Sequence, residues 1–275
     1  MYTTIKNTTG KSLSDKFDTL DVSSLSLVLY NHLYVLFLND KNNQILGVHW
    51  EVKKNIQAVI KAVTSLPIFS KDLPLSVYYH SEFFALVPGV IYEPAQNDTF
   101  LHFASPTLQD HVSFNTSLES NNLQLIGAIP QEVAQLLSSG KQEVTLHHAA
   151  ASFLSLALKE KFNLLNQEIW VSIQTNFLYL AAFKDQELVL FNRFEATTEQ
   201  IILQYIYGIA HKLSFDPKLF RLTIFESEFN KLPVSWGTEY FKNIKITVPV
   251  CNQLYHQGAD EFKQTGIFES SWIFN

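Results

Sequence analysis

Apolar and polar positions fall into two matching series along this chain. Residues 25–40, LSLVLYNHLYVLFLND, and 44–52, QILGVHWEV, are β-rich runs around the polar stretch Asn39-Asp40-Lys41-Asn42-Asn43, which signals a hairpin. Ile56, Val59, Ile60 and Val63 then recur at helical spacing until Pro67 ends the pattern. Residues 75–92 read as strands again. The stretch 93–120 is crowded with Asp, Asn, Ser, Thr and Pro and reads as irregular, and 122–129 reads as a short strand. Pro130 suits the first turn of a helix running through Leu137, and 143–162 predicts a short strand followed by an Ala- and Leu-rich helix. The second series opens at 169–195, IWVSIQTNFLYLAAFKDQELVLFNRFE, two strands around a tight turn. Thr197 or Thr198 caps the helix that follows, with Ile201, Ile202, Tyr205, Ile206 and Ile209 on its apolar face. Residues 221–227 and 244–250 are further strands, the first 21 residues form a polar segment expected to be partly loose, and the tail FKQTGIFESSWIFN ends in exposed-looking aromatics.

The order hairpin, helix, strand thus occurs twice, an α/β pattern. Sliding residues 26–40 forward by 145 aligns Asn31 with Asn176, Leu33 with Leu178, Tyr34 with Tyr179 and Asp40 with Asp185. Beyond the turn the second copy is one residue shorter, which sets Glu51 against Glu195. The expected division is a segment 1–21, a first domain 22–165 and a second domain 166–275.

Composition narrows the function classes. Hydrophobic residues make up 47% of the 275 and aromatics 13%, including 22 Phe and 11 Tyr, so the chain holds enough apolar area for a real core. Net charge is −6, and Arg193 and Arg221 are the only arginines, which argues against a nucleic-acid partner because counterion release needs a basic face. Cys251 is the single cysteine, so no intramolecular disulfide forms and a cysteine zinc site is not expected. No run approaches the length of a membrane span, and the polar N-terminus resembles neither a signal peptide nor an anchor, so no membrane insertion and a cytoplasmic location are expected.

The duplicated strand–turn–strand, followed by a third strand and a helix, resembles the actin-like ATPase fold, a pair of ribonuclease H-like domains with mixed sheets, over residues 22–250 or so. It is similar to the PilM type of pilus-assembly protein, to the cytoplasmic part of its secretion-system counterpart, and to a bacterial family of unknown function assigned this fold. In active members each hairpin turn carries an Asp-x-Gly phosphate loop. The acid orients a magnesium-bound water, and the glycine lets backbone N–H groups reach phosphate with no Cβ in the way. A Gly-Gly pair after a strand of the second domain receives adenine.

Those elements are missing from this chain. The first turn is Tyr30-Asn31-His32-Leu33, the second Thr175-Asn176-Phe177-Leu178, and the third element is Glu226-Ser227-Glu228. The chain has 9 glycines, none adjacent or spaced Gly-x-Gly, about half the usual ~7%. The positions that would line a cleft are Asn31, His32, Thr175, Asn176, Glu226 and Ser227. The shared asparagine is expected to serve the turn through a left-handed backbone. Nuclease chemistry of the ribonuclease H type needs acids on the first strands, and 25–38 and 169–183 contain none. His147 and His148 are adjacent on a strand and point to opposite faces, which disfavours a shared metal even with His102 and His111 in reach. No Gly-x-Ser-x-Gly elbow exists, and Cys251 ends a strand.

These readings together predict a non-catalytic, actin-like intracellular scaffold or adaptor, with no cofactor and an unidentified protein partner that engages its cleft or the 93–120 segment. The alternative is a divergent ATPase or kinase that binds ATP with magnesium through Asn31, His32, Thr175 and Asn176. Two roles stand for the aromatic tail, Phe268, Trp272, Ile273 and Phe274: docking on its own domain, or display to a partner.

Overall fold

A computed structural model describes residues 9–105, 108–118, 122–227, 231–233 and 235–274. The chain divides into two compact units. The first holds residues 9–151 and recovers Gln253–Phe262 from near the C-terminus. The second holds Ser152–Asn252 with 263–274.

In chain order the first unit contains β1 (Thr9–Leu13), β2 (Ser24–Leu29), β3 (Leu33–Asn39), β4 (Ile45–Val52), α1 (Ile56–Thr64) and β5 (Leu75–Tyr79). Then come β6 (Phe84–Pro88), α2 (Asn97–Ala104), β7 (His111–Leu118), β8 (Leu123–Pro130), α3 (Gln131–Ser138) and β9 (Val144–His148). Six strands form one sheet in the order β1-β4-β3-β2-β5-β9, and β6-β8-β7 form a separate three-stranded layer. Every residue of β3 is buried, as expected of a central strand covered on both faces. Val59, Ile60 and Val63 of α1 pack with Leu25, Leu27, Leu36 and Val77 in the main core, so the helical spacing predicted for 54–66 faces inward. Leu101 of α2 packs with Val87, Ile126 and Ala128 over the small layer.

The division between units falls inside α4 (Ala150–Lys159). The second unit continues with β10 (Gln167–Ile173), β11 (Phe177–Lys184), β12 (Glu187–Glu195), α5 (Glu199–Lys212), β13 (Arg221–Phe225), β14 (Asn243–Thr247) and α6 (Phe268–Ser271). Its sheet order is β12-β11-β10-β13-β14. That is the order of β4-β3-β2-β5-β9, with two antiparallel pairs and then two parallel ones in both sheets.

The duplication extends to fine detail. A bulge between Leu38 and Asn39 is matched by one between Ala182 and Phe183. Asn55 caps α1 by accepting from Ala58 N, and Thr198 caps α5 by accepting from Ile201 N. The second apolar face is Ile202, Ile206 and Ala210, with Tyr205 set against Phe194 at 4.6 Å.

Four local expectations change. The polar N-terminal segment contributes β1, which pairs Thr9–Leu13 with Gly47–Glu51 along the sheet edge; residues 1–8 lie outside the described residues. The stretch 93–120 is not irregular: it supplies α2 and β7. Asp, Asn, Ser and Thr are interspersed through both elements, which is what hid them. The C-terminal tail is not exposed: Phe268, Trp272 and Ile273 are buried, at 4%, 7% and 3% exposure, and Phe274 is half-buried. Finally, backbone pairing corrects the sequence alignment of the repeats. Leu29 pairs with Tyr34, and Ile173 pairs with Leu178, so Tyr34 corresponds to Leu178 and the shared asparagines do not coincide.

Candidate functional site

The two hairpin turns are built alike. Tyr30 N donates to Leu33 O at 2.9 Å, and Gln174 N donates to Phe177 O at 2.8 Å. Asn31 therefore corresponds to Thr175, and His32 to Asn176. The carbonyls of that second pair each accept from the segment following the third strand, Lys53 N at 2.7 Å and Ala196 N at 2.9 Å. Neither Asn31 nor Asn176 has a positive φ, so the expectation of a left-handed asparagine at the turn is overturned. The left-handed residues lie at the other end of the hairpins: Asn43 in one unit, and the pair Asp185 and Gln186 (φ 51° and 67°) in the other, where both central residues of a two-residue turn need φ > 0. Glu51 and Glu195 also part company, since Glu51 pairs with Tyr34 whereas Glu195 pairs with Phe177.

In the first unit, Asn31 Nδ2 donates to Glu82 Oε1 at 2.9 Å across the end of the sheet. His32 is half-buried, and its Nε2 has no hydrogen-bond partner among the described residues. Burial, with the neighbouring His80 adding to it, holds the His32 imidazole below the usual histidine range, so it is neutral at pH 7. His80 stacks on Tyr30 at 4.1 Å between ring centroids.

In the second unit, parallel pairing of β10 with β13 brings Thr175 and Asn176 to the same sheet end as Glu226 and Ser227. Side chains, not glycines, fill this end. Gln174 is 7% exposed and donates from Nε2 to Ser172 Oγ at 3.0 Å. Phe177 is buried against Tyr179, and the Arg193 guanidinium lies over its ring at 4.2 Å while pairing with Glu195 at 2.6 Å. The Glu226 carboxylate accepts from Leu232 N at 3.0 Å, and Ser227 is buried. Glu228 lies outside the described residues. Every turn residue carries a Cβ, so a phosphate has no glycine-backed approach to the backbone at either hairpin.

Sequence reasoning missed a second feature of this unit. On the sheet face opposite α5, Phe153 of α4 lies 6.2 Å from Phe225 and 5.8 Å from Phe268, and Trp170 lies 5.2 Å from Phe225. Trp272 Nε1 donates to Ser155 Oγ at 3.0 Å, Lys159 sits over the Trp272 ring, and Phe274 N donates to Ser152 Oγ. The tail is thus part of its own unit's core. Beside it a cavity of about 290 Å³ is lined by Leu156, Glu168, Trp170, Arg221, Phe225 and Lys245 among others. Glu168 in its wall is fully buried and accepts from Arg221 Nε at 2.8 Å, Arg221 Nη2 at 2.7 Å, Trp170 Nε1 at 2.7 Å and Leu165 N at 2.9 Å. A carboxylate so fully paired ties β10, β13 and the preceding loop together; it is not placed to exchange a proton with a substrate. Among the described residues no group of His, Cys, Asp and Glu converges to hold a metal ion, and no helix is long and apolar enough to cross a membrane.

Residues 14–244 match the model of a family described as "Protein of unknown function (DUF3822)". The chain belongs to that family. Its fold is the actin-like ATPase fold, as two solved structures show. One is a protein of unknown function with an actin-like ATPase fold from Bacteroides thetaiotaomicron VPI-5482, with a TM-score of 0.73 at 16% identity, covering 84% of this chain and 93% of that one. The other is from the PilM–PilN type IV pilus biogenesis complex, with a TM-score of 0.59 at 9% identity, covering 91% and 96%. At such identities the likeness carries the fold and no activity. No curated protein matches the chain.

Proposed function

We propose that this family member is a non-catalytic actin-like protein that works as a scaffold or adaptor for a protein partner. One observation carries the reading: both hairpin turns keep the backbone bonds of the fold, yet neither carries the acid or the glycine that serves phosphate, and three residues at those sheet ends are engaged elsewhere or bring the wrong charge. Asn31 bonds Glu82, Phe177 is buried beneath Arg193, and Glu226 brings a negative charge held by Leu232 N. A triphosphate placed at that end of β13 meets a carboxylate where the active pattern has glycine. The pilus protein of similar fold is part of a complex, which agrees with a partner-binding role.

A divergent nucleotide-binding protein is the second reading, and the free Nε2 of His32 is what favours it, since a neutral imidazole can donate one hydrogen bond to an anion. Phosphate release from Mg-ATP by purified protein decides between them. The scaffold reading expects no turnover above buffer. Turnover that disappears in His32→Ala or Asn176→Ala would establish the enzyme instead.

A further inference from the structure

Basic residues are distributed unevenly. Residues 72 to 140 hold seven Asp and Glu and no Lys or Arg, a formal −7 against −6 for the whole chain. The rest of the chain therefore sums to +1, and the acidity of the protein resides in this one stretch. Most of it folds as the β6-β8-β7 layer with α2 across it.

The outer surface of that layer is also unusually apolar. Val90 is 81% exposed, Ile91 60% and Phe103 85%. α2 explains the last: Leu101 faces the small core at 0% exposure, and two residues further on, about 200° around the helix, Phe103 points to solvent. Tyr92, next to Ile91, stacks against Phe100 with ring centroids 6.5 Å apart, which joins the 3₁₀ turn Gly89–Ile91 to α2. Glu93 and Asp98 flank these residues, both exposed. Single exposed apolar side chains are ordinary, but these three on one small layer, beside the exposed carboxylates of Glu93 and Asp98, make a surface with a sign and a sticky centre.

We propose that this face of the three-stranded layer is a docking surface for a protein segment bearing lysine or arginine together with a few apolar side chains. The carboxylates of Glu93 and Asp98 steer such a segment, and Phe103 supplies a ring for burial at the contact. Nucleic acid and anionic lipid headgroups are repelled by the same charges, and so is the same layer of a second copy. The proposal rests on the adaptor reading only in taking the partner to be a protein. It involves no nucleotide, so its failure would leave the reading of the hairpin turns where it stands.

The test uses the full chain and a labelled amphipathic peptide of alternating lysine and leucine turns, with a control in which glutamate replaces lysine, followed by fluorescence anisotropy. Two variants are compared, Phe103→Ser and the pair Glu93→Lys with Asp98→Lys; all three sites are exposed, so an unchanged melting temperature certifies the fold. The lysine peptide is expected to bind wild type and to lose about tenfold in affinity with each variant. Its affinity should fall from about 0.05 M to about 0.3 M salt in wild type and fall less in the charge-reversed protein. No binding, equal binding of the glutamate peptide, or unchanged affinity for Phe103→Ser would each overturn the proposal.

Discussion

Arg221→Met isolates the buried ion pair of the second unit. Glu168 has no solvent exposure and loses both of its charge-assisted bonds, at 2.8 and 2.7 Å, when the guanidinium is removed. Trp170 and Leu165 still donate to it, but neither carries a charge. Stranding a buried ion in this way costs about 3–5 kcal/mol. The Arg221 side chain is 33% exposed, so the open end of the pair is partly screened and the lower figure, about 3 kcal/mol, applies. Urea unfolding followed by tryptophan fluorescence reads this directly, because Trp170, Trp236 and Trp272 all belong to this unit. The midpoint should move to lower urea with the slope unchanged. Adding Glu168→Leu to Arg221→Met should recover part of the loss, since the charge is then gone, although Trp170 Nε1 and Leu165 N lose their acceptor. If Arg221→Met unfolds within about 0.5 kcal/mol of wild type, the pair is not the anchor described here.

Ending the chain at Phe268 removes Trp272 from the α4 face and the buried Ile273 with it, and should lower the melting temperature; Phe268→Ala alone should cost about 3–5 kcal/mol as a core cavity. An unchanged melting temperature in the truncated protein would show that the tail does not dock. Burial holds His32, His49 and His147 below the usual histidine range, with His80 adding to the effect at His32. The unfolded chain therefore binds more protons near pH 6, so stability should be full above about pH 6.5 and fall as pH drops toward 5. A melting temperature that is flat or rises from pH 7 to pH 5 would refute that assignment.

Much of the architecture is written locally. Central strands such as β3 and β11 are near-continuous apolar runs, and Asn55 and Thr198 stand where caps are needed, so the element order and the duplication are legible. Register is not. It is set by which backbone groups pair around the turn, and four chance-level identities chose an offset one residue away from that pairing. The helix α2 is only eight residues long and begins without a side-chain cap, so composition alone reads as loop. The tail's docking is a long-range match between Phe268, Trp272 and α4 that no local pattern contains.

At the hairpins, the missing acids and glycines are plain in the sequence, because the chemistry of phosphate binding names the residue types it needs. What those positions do instead is set by tertiary contacts: Asn31 reaches Glu82, and Arg193 covers Phe177. Glu168 is the legible exception: it is the second residue of a largely apolar strand, and one of the two arginines in the chain opens the parallel strand beside it.

The claim that the actin-like frame has no nucleotide site is tested most directly by melting the purified protein with and without millimolar Mg-ATP. A ligand that binds only the folded state stabilises it by RT ln(1 + [L]/Kd), about 2.7 kcal/mol at a hundredfold excess over Kd. Coincident melting curves are the expected result. A shift of several degrees that is lost in Asn176→Ala would contradict it.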